Sequence, residues 1–170
     1  MSVLIDQATW PWRGDQWAHL ASDWTYAELH SFANAMGIRR LAFQGDHYDV
    51  ATGMREQAIE RGARPVTSRE LVAGLRSAGL RARRPTRPWV AQDARDGATQ
   101  AALDRVHELW PWSRGVAWSV LRRPQEVAFS ATFAPGDARR PPEVPSVVAN
   151  LAFLVERSEG TILDVVLPIA

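Results

Sequence analysis

Three of the chain's four histidines, His19, His30 and His47, fall in its first third, interspersed with Asp6, Asp46 and Asp49. The densest stretch is Gln44-Gly45-Asp46-His47-Tyr48-Asp49. Neutral imidazole and carboxylate are the usual ligands of a divalent cation where no thiolate is present. The chain has no Cys, which excludes disulfides, thiolate zinc sites and cysteine nucleophiles. It has no Lys either, every basic residue being Arg, which excludes a Schiff-base or P-loop lysine. A divalent metal held by His47, Asp6, His19 and His30 would polarise a phosphoryl oxygen or activate water. His47, Asp46, Asp49 and His19 are the candidate catalytic set. Arg13, in a glycine-containing loop, offers a planar fork for phosphate, and Trp12, Gln44 and Tyr48 complete the candidate ligand-binding residues.

Each of these residues also has a structural reading. Asp49 fits the N-cap of a helix that runs to Ile59, and Asp23 fits a cap region in the same way. His19, in an apolar strand, reads equally as a hydrogen-bonded boundary histidine. His30 reads as an i,i+4 surface partner of Asn34, and Tyr48 as an amphipathic wall residue with its hydroxyl in solvent. Asp46-His47 is the pair that neither a cap nor a core requires. Elsewhere, His107 beside Glu108 reads as structural, and Arg13-Gly14-Asp15 as a chance tripeptide. The sequence contains no glycine-rich phosphate loop and no His-Glu-x-x-His, and neither Ser113 nor Ser119 sits in a nucleophile elbow.

Alternating strands and helices must position these residues. Val3-Leu4-Ile5 predicts a strand ending at Asp6. Trp10-Pro11-Trp12-Arg13-Gly14 predicts a turn or loop, and Trp17 to Ala21 a second strand. Thr25 to Glu28 fits a capping box; Leu29, Phe32, Ala33 and Met36 follow at helical spacing, with Gly37 as the stop. Arg40 to Phe43 predicts a strand, Asp49 to Ile59 a helix, and Pro65-Val66 a short strand. Thr67 to Glu70 is a second capping-box match, with Leu71, Val72, Leu75 and Ala78 on the buried side. Together these predict an α/β fold, a small layered module over residues 1–80. Residues 81–97, with Arg81, Arg83, Arg84 and Arg87 among Pro85 and Pro88, read as an Arg/Pro-rich connector. Residues 98–170 read as an α+β extension: a helix from Ala98 to Trp110, then antiparallel strands. These include the alternating Val127, Phe129, Ala131 and Phe133, and two strands (147–156 and 161–167) flanking a hairpin turn at Ser158-Glu159-Gly160. An extension of this size with no disulfide is expected to pack on the first module.

From Trp12 to Leu71 the motifs are Gly14, Trp17-Ala18-His19-Leu20, Asp23, Glu28-Leu29-His30, Phe32-Ala33, Gly37, Phe43-Gln44, His47-Tyr48-Asp49, and Arg55 with Ala58, Gly62 and Ala63. In these the chain resembles a bacterial and phage family catalogued as domain of unknown function 4031, over roughly residues 1–80. The resemblance implies a fold and a candidate site and brings no reaction with it. Residues 81–170 carry no such resemblance.

A net charge of +1 does not favour nucleic acid as a partner, although the Arg81–Arg87 arm with Trp89 would suit phosphate and base contacts. A small anionic ligand or a nucleotide fits the site better. No apolar run reaches the roughly 20 residues of a membrane helix, and the early charge at Asp6 argues against a signal peptide, so the expected location is cytoplasmic. Oligomeric state is left open. Two functions remain: a metal-assisted phosphoester hydrolase acting on a nucleotide or nucleic acid, or a non-catalytic ligand- or protein-binding module. The module would use the His-Tyr-Asp loop and the tryptophans Trp10 and Trp12.

Overall fold

The computed structural model describes residues 2–82, 86–93, 96–141, 143–149 and 151–169. The expectations for Arg83, Arg84 and Pro85 lie outside the described residues. The fold is α/β, in two compact units: Met1–Ile38 with Ala42–Thr86, and Arg39–Leu41 with Arg87–Ala170.

The first unit is built on one long strand. Its strands are β1 (Val3–Ile5), β2 (Trp10–Trp12), β3 (Asp15–Ser22), β4 (Tyr48–Ala51) and β5 (Arg64–Pro65). Its helices are α1 (Tyr26–Ala35), α2 (Thr52–Glu60) and α3 (Ser68–Ser77). β3 is central, antiparallel to β1, β2 and β4, while β1 also pairs in parallel with β5. Trp17 opposes both Trp10 and Ala51, and Leu20 opposes both Ile5 and Tyr48. β1 and β2 therefore share one side of β3, and β4 takes the other.

Side chains alternate across a strand, so β3 divides its residues between two faces. Ala18 and Leu20, with Val3, Ile5, Tyr48 and Val50, join Leu29 and Ala33 of α1 and Ala58 of α2 in one core. Ala21 and Leu4 face the other way and pack with Val66, Leu71 and Leu75. That second face continues along β3 as His19, Trp17 and Asp15, and His19 is directly opposite Asp49. The polar residues thus start where the apolar contacts of α3 stop.

The caps explain where the helices begin. Thr67 accepts from the Glu70 backbone N–H while the Glu70 carboxylate accepts from the Thr67 N–H, a complete capping box. Thr25 accepts from the Glu28 N–H, but the Glu28 carboxylate accepts a hydrogen bond from the Ser22 hydroxyl. That same hydroxyl accepts from the Trp24 and Thr25 N–H groups. Several local expectations need correction. Asp49 is not a helix cap: it lies in β4, and α2 starts after Ala51 with no side-chain cap. Trp10-Pro11-Trp12 is a strand and only Arg13-Gly14 forms the turn. Arg40–Ala42 is a turn of 3₁₀ helix, with Phe43 bridging to Tyr48.

The second unit has β6 (Val90–Ala91), α4 (Gly97–Leu109), β7 (Ser119–Arg123), β8 (Glu126–Phe133), β9 (Ala152–Arg157) and β10 (Gly160–Pro168). Its sheet runs β6-β7-β8-β10-β9, antiparallel throughout. Asp96 caps α4, whose Ala102, Leu103 and Val106 pack with Val127, Phe129 and Leu163. β6 lies within the stretch 81–97 read as an Arg/Pro-rich connector, and Ser146–Val148 is a 3₁₀ turn before β9 instead of part of the strand. Asp164, fully buried in β10, receives a two-pronged contact from Arg39 and the Ser130 hydroxyl proton. Among the described residues no helix is long and apolar enough to cross a membrane.

Candidate functional site

His19 and His47 are held in the same way by different carboxylates. Asp6, at the end of β1, is 1% exposed. Its carboxylate accepts from the His19 backbone N–H (2.7 Å), from His19 Nδ1 (2.9 Å) and from the Ser68 hydroxyl at the start of α3 (2.7 Å). Its backbone carbonyl accepts from Arg55 Nε at 2.7 Å. Burial alone would raise the Asp6 pKa, but the His19 side-chain bond, the His19 backbone N–H and Ser68 outweigh it and hold the carboxyl below its ordinary value. Asp46, also 1% exposed, stands 2.5 Å from His47 Nδ1 through one oxygen. Through the other it accepts from Arg81 (2.7 Å) and from the Ala82 N–H (2.9 Å). Its pKa is also lowered, with burial opposed by His47, Ala82 and Arg81.

The turn that presents Asp46 and His47 is closed by Gln44 N–H donating to the His47 carbonyl. It requires glycine at position 45, where φ is +96° and a Cβ would stand 2.2 Å from the Thr86 hydroxyl oxygen.

Ionised carboxylates only accept hydrogen bonds, so the Nδ1 of each imidazole carries the proton, and Nε2 is turned to the site. The two Nε2 atoms converge on Asp49 Oδ1, at 3.3 Å from His47 and 3.9 Å from His19. That oxygen is buried, and among the described residues the two imidazoles are what faces it. His19, His47 and Asp49 each present a ligand atom within 4.8 Å of the others. The two rings meet edge to face, 5.0 Å apart. Burial opposes charge on His47, but Asp46 and Asp49 prevail and raise its pKa to about 9. A cavity of about 150 Å³ adjoins the rings, lined by Asp6, His19, His47, Ser68 and Arg81 on its polar side and by Leu71, Val72 and Leu75.

The other sequence candidates divide. Asp6 supports His19 and is not one of the three converging groups. His30 is apart: it is buried in α1, its Nδ1 2.9 Å from the Tyr48 hydroxyl, among Tyr26, Phe43 and Tyr48. It belongs to the core face, opposite the one that carries His19 and Asp49, so it does not join the converging groups, and its burial corrects the reading of it as a surface residue. Tyr48 is fully buried there, which corrects its reading as a wall residue with a solvated hydroxyl. Gln44 is exposed, and its side chain donates to the Ala42 carbonyl at 3.4 Å. Arg13 lies over the exposed Trp12 ring in the β2–β3 turn. Sequence reasoning missed Ser68 and Arg55, and placed Arg81 in a linker. Only Arg55 carried a signal, as one of the family motif residues.

No curated protein and no solved structure matches the chain. Residues 3–78, the segment that carries Asp6, His19, Asp46, His47 and Asp49, match the family model described as protein of unknown function (DUF4031).

Proposed function

We propose that the first unit binds one divalent cation through His19 Nε2, His47 Nε2 and Asp49 and hydrolyses a phosphoester there. One observation carries this reading. Both imidazoles commit Nδ1 to a buried carboxylate and aim Nε2 at the same buried carboxylate oxygen of Asp49. A carboxylate behind each metal-binding histidine is the usual outer support, fixing tautomer and ring orientation. Three protein ligands leave positions open, as catalytic sites do and closed structural sites do not.

A bound cation would polarise the phosphoryl oxygen and lower the pKa of water in the site. The chain's own groups do the rest. Asp6 and Asp46 keep the rings in place. Arg81 lines the cavity with its guanidinium partly exposed, so positive charge faces an entering phosphoryl group. Water adds through oxygen to phosphorus as the bond to the leaving alkoxy oxygen breaks. The bonding pair stays on that oxygen, which takes one water proton, and the other proton remains on the phosphate.

The test is titration of chelator-stripped full-length protein with zinc, manganese or magnesium by calorimetry, followed by turnover of bis(p-nitrophenyl) phosphate. One ion per chain is expected, lost in His19→Ala and His47→Ala and kept in His30→Ala, with hydrolysis returning with the metal. Absence of binding, or binding indifferent to His47, defeats the metal centre. Binding without hydrolysis of any phosphoester defeats the catalytic reading.

A further inference from the structure

The cavity of about 150 Å³ beside His19 and His47 is smaller than the roughly 300 Å³ at which pockets begin to enclose a drug-sized ligand. It has room for a phosphoryl group, and the rest of any substrate must lie outside it. The same sheet face continues outward as an aromatic strip. Trp17 follows His19 by alternation, Trp10 pairs with Trp17, and Trp12 lies two residues along β2. Trp10 is 51% exposed and lies nearly parallel to the His19 ring, 6.0 Å away. Trp12 is 49% exposed and is braced edge-on by Trp17, whose indole N–H donates to the Trp12 carbonyl. The strip therefore begins at a proposed metal ligand and ends at Arg13, whose guanidinium is 4.6 Å from the Trp12 ring centre. Among the described residues no carboxylate pairs with Arg13.

The turn at this end is a two-residue type I′ hairpin, with φ +52° at Arg13 and +82° at Gly14. Asn or Gly is the ordinary residue at the first of these positions, and an arginine backbone there costs about 1 kcal/mol. The side chain held at that cost is a cation that lies on an exposed indole.

We infer that Trp10 and Trp12 stack consecutive unpaired bases and Arg13 takes a backbone phosphate, so that the substrate of the centre is single-stranded nucleic acid. Two exposed indoles about 7 Å apart along one strand give two stacking positions, where a mononucleotide would use one. Stacking on aromatic side chains tolerates any base, and on a chain of net charge +1 Arg13 supplies the positive charge for the backbone locally. The identity of the reacting bond rests on the phosphoester reading; the stacking rests on the hairpin alone.

The experiment is fluorescence titration of the metal-free full-length protein with hexathymidylate, with an abasic hexamer of the same backbone, and with thymidine monophosphate. Hexathymidylate should quench tryptophan emission and bind at least tenfold more tightly than either of the others. Trp12→Leu, which keeps apolar bulk without the aromatic face, should weaken it about tenfold or more, while Trp12→Phe keeps most of the affinity. Trp24→Ala, removing an exposed indole outside the strip, should change nothing. Arg13→Asn, which suits the left-handed turn, should weaken binding and reduce the log–log salt slope by about 0.7. Equal affinity for the abasic strand or the mononucleotide, no binding of hexathymidylate, or indifference to Trp12→Leu overturns the inference. Because no metal is present, hexathymidylate binding without metal uptake would sustain this inference and defeat the centre. Metal uptake and diester turnover without hexathymidylate binding would do the reverse.

Discussion

Protons and the proposed cation would compete for one nitrogen of this site, and the raised His47 pKa sets the expected size of that competition. His47 Nδ1 is tied to Asp46, and Asp49 holds a second proton on Nε2, raising the ring to about 9 against an ordinary 6.5. A cation takes Nε2 only after that proton leaves. Well below pH 9 the affinity should therefore rise about tenfold per pH unit, a gain of about 50-fold from pH 7 to pH 9, and then level. A ring of ordinary pKa would give a curve already flat near pH 7. Manganese titrations at half-unit intervals measure the curve. Repeating them at pH 7.5 in buffers of different ionisation enthalpy counts the proton, with about one released per ion bound. Asp46→Asn removes the carboxylate that keeps the ring charged, so its curve should flatten at lower pH, with circular dichroism checking the fold. The metal-free protein gives a second readout with a definite sign. A pKa raised on folding stabilises the native state fully below pH 6.5 and loses that contribution as pH rises through 9. The contribution is about 3 kcal/mol, and urea unfolding from pH 6 to pH 10 should show its loss in wild type and not in His47→Gln. A wild-type affinity that is flat between pH 7 and pH 9, or an unaltered slope in Asp46→Asn, would refute the reasoning.

Asp6→Asn should leave the fold intact and weaken cation binding by about 10- to 100-fold, the usual effect of losing a carboxylate behind a histidine ligand, read by the same calorimetry. In the second unit, Arg39→Ala removes the guanidinium from the buried Asp164 carboxylate and leaves it the Ser130 hydroxyl. It should cost roughly 3 kcal/mol in urea denaturation.

Where a local rule acted alone, the sequence was readable. Thr67 to Glu70 announces α3, and the Ser158-Glu159 turn between β9 and β10 is explicit. Asp49 shows two local rules in conflict. Aspartate before a helix is a favoured cap, yet Tyr48-Asp49-Val50-Ala51 also alternates with period two, and pairing with β3 decides for the strand. The same pairing creates the site, because it sets Asp49 against His19, thirty residues earlier. His30 could not be separated from the other two histidines by spacing, since what removes it is a hydroxyl on Tyr48 that reaches it across the core. Ser68 and Arg81 approach Asp6 and Asp46 from distant segments, and no pattern of residue types records such a contact.

The converging groups come from β3, from the turn after Phe43 and from β4, and only one alignment of β3 with β4 brings them together. A slip of one residue would send the Asp49 side chain to the opposite face of the sheet; a slip of two would displace it along the strand by about 7 Å. A cation bound to all three groups is therefore also a ligand for the correct strand alignment. By mass action it would add about 4 kcal/mol to folding at a thousand times its dissociation constant. Metal supply would then set how much of this unit is folded as well as how fast it turns over.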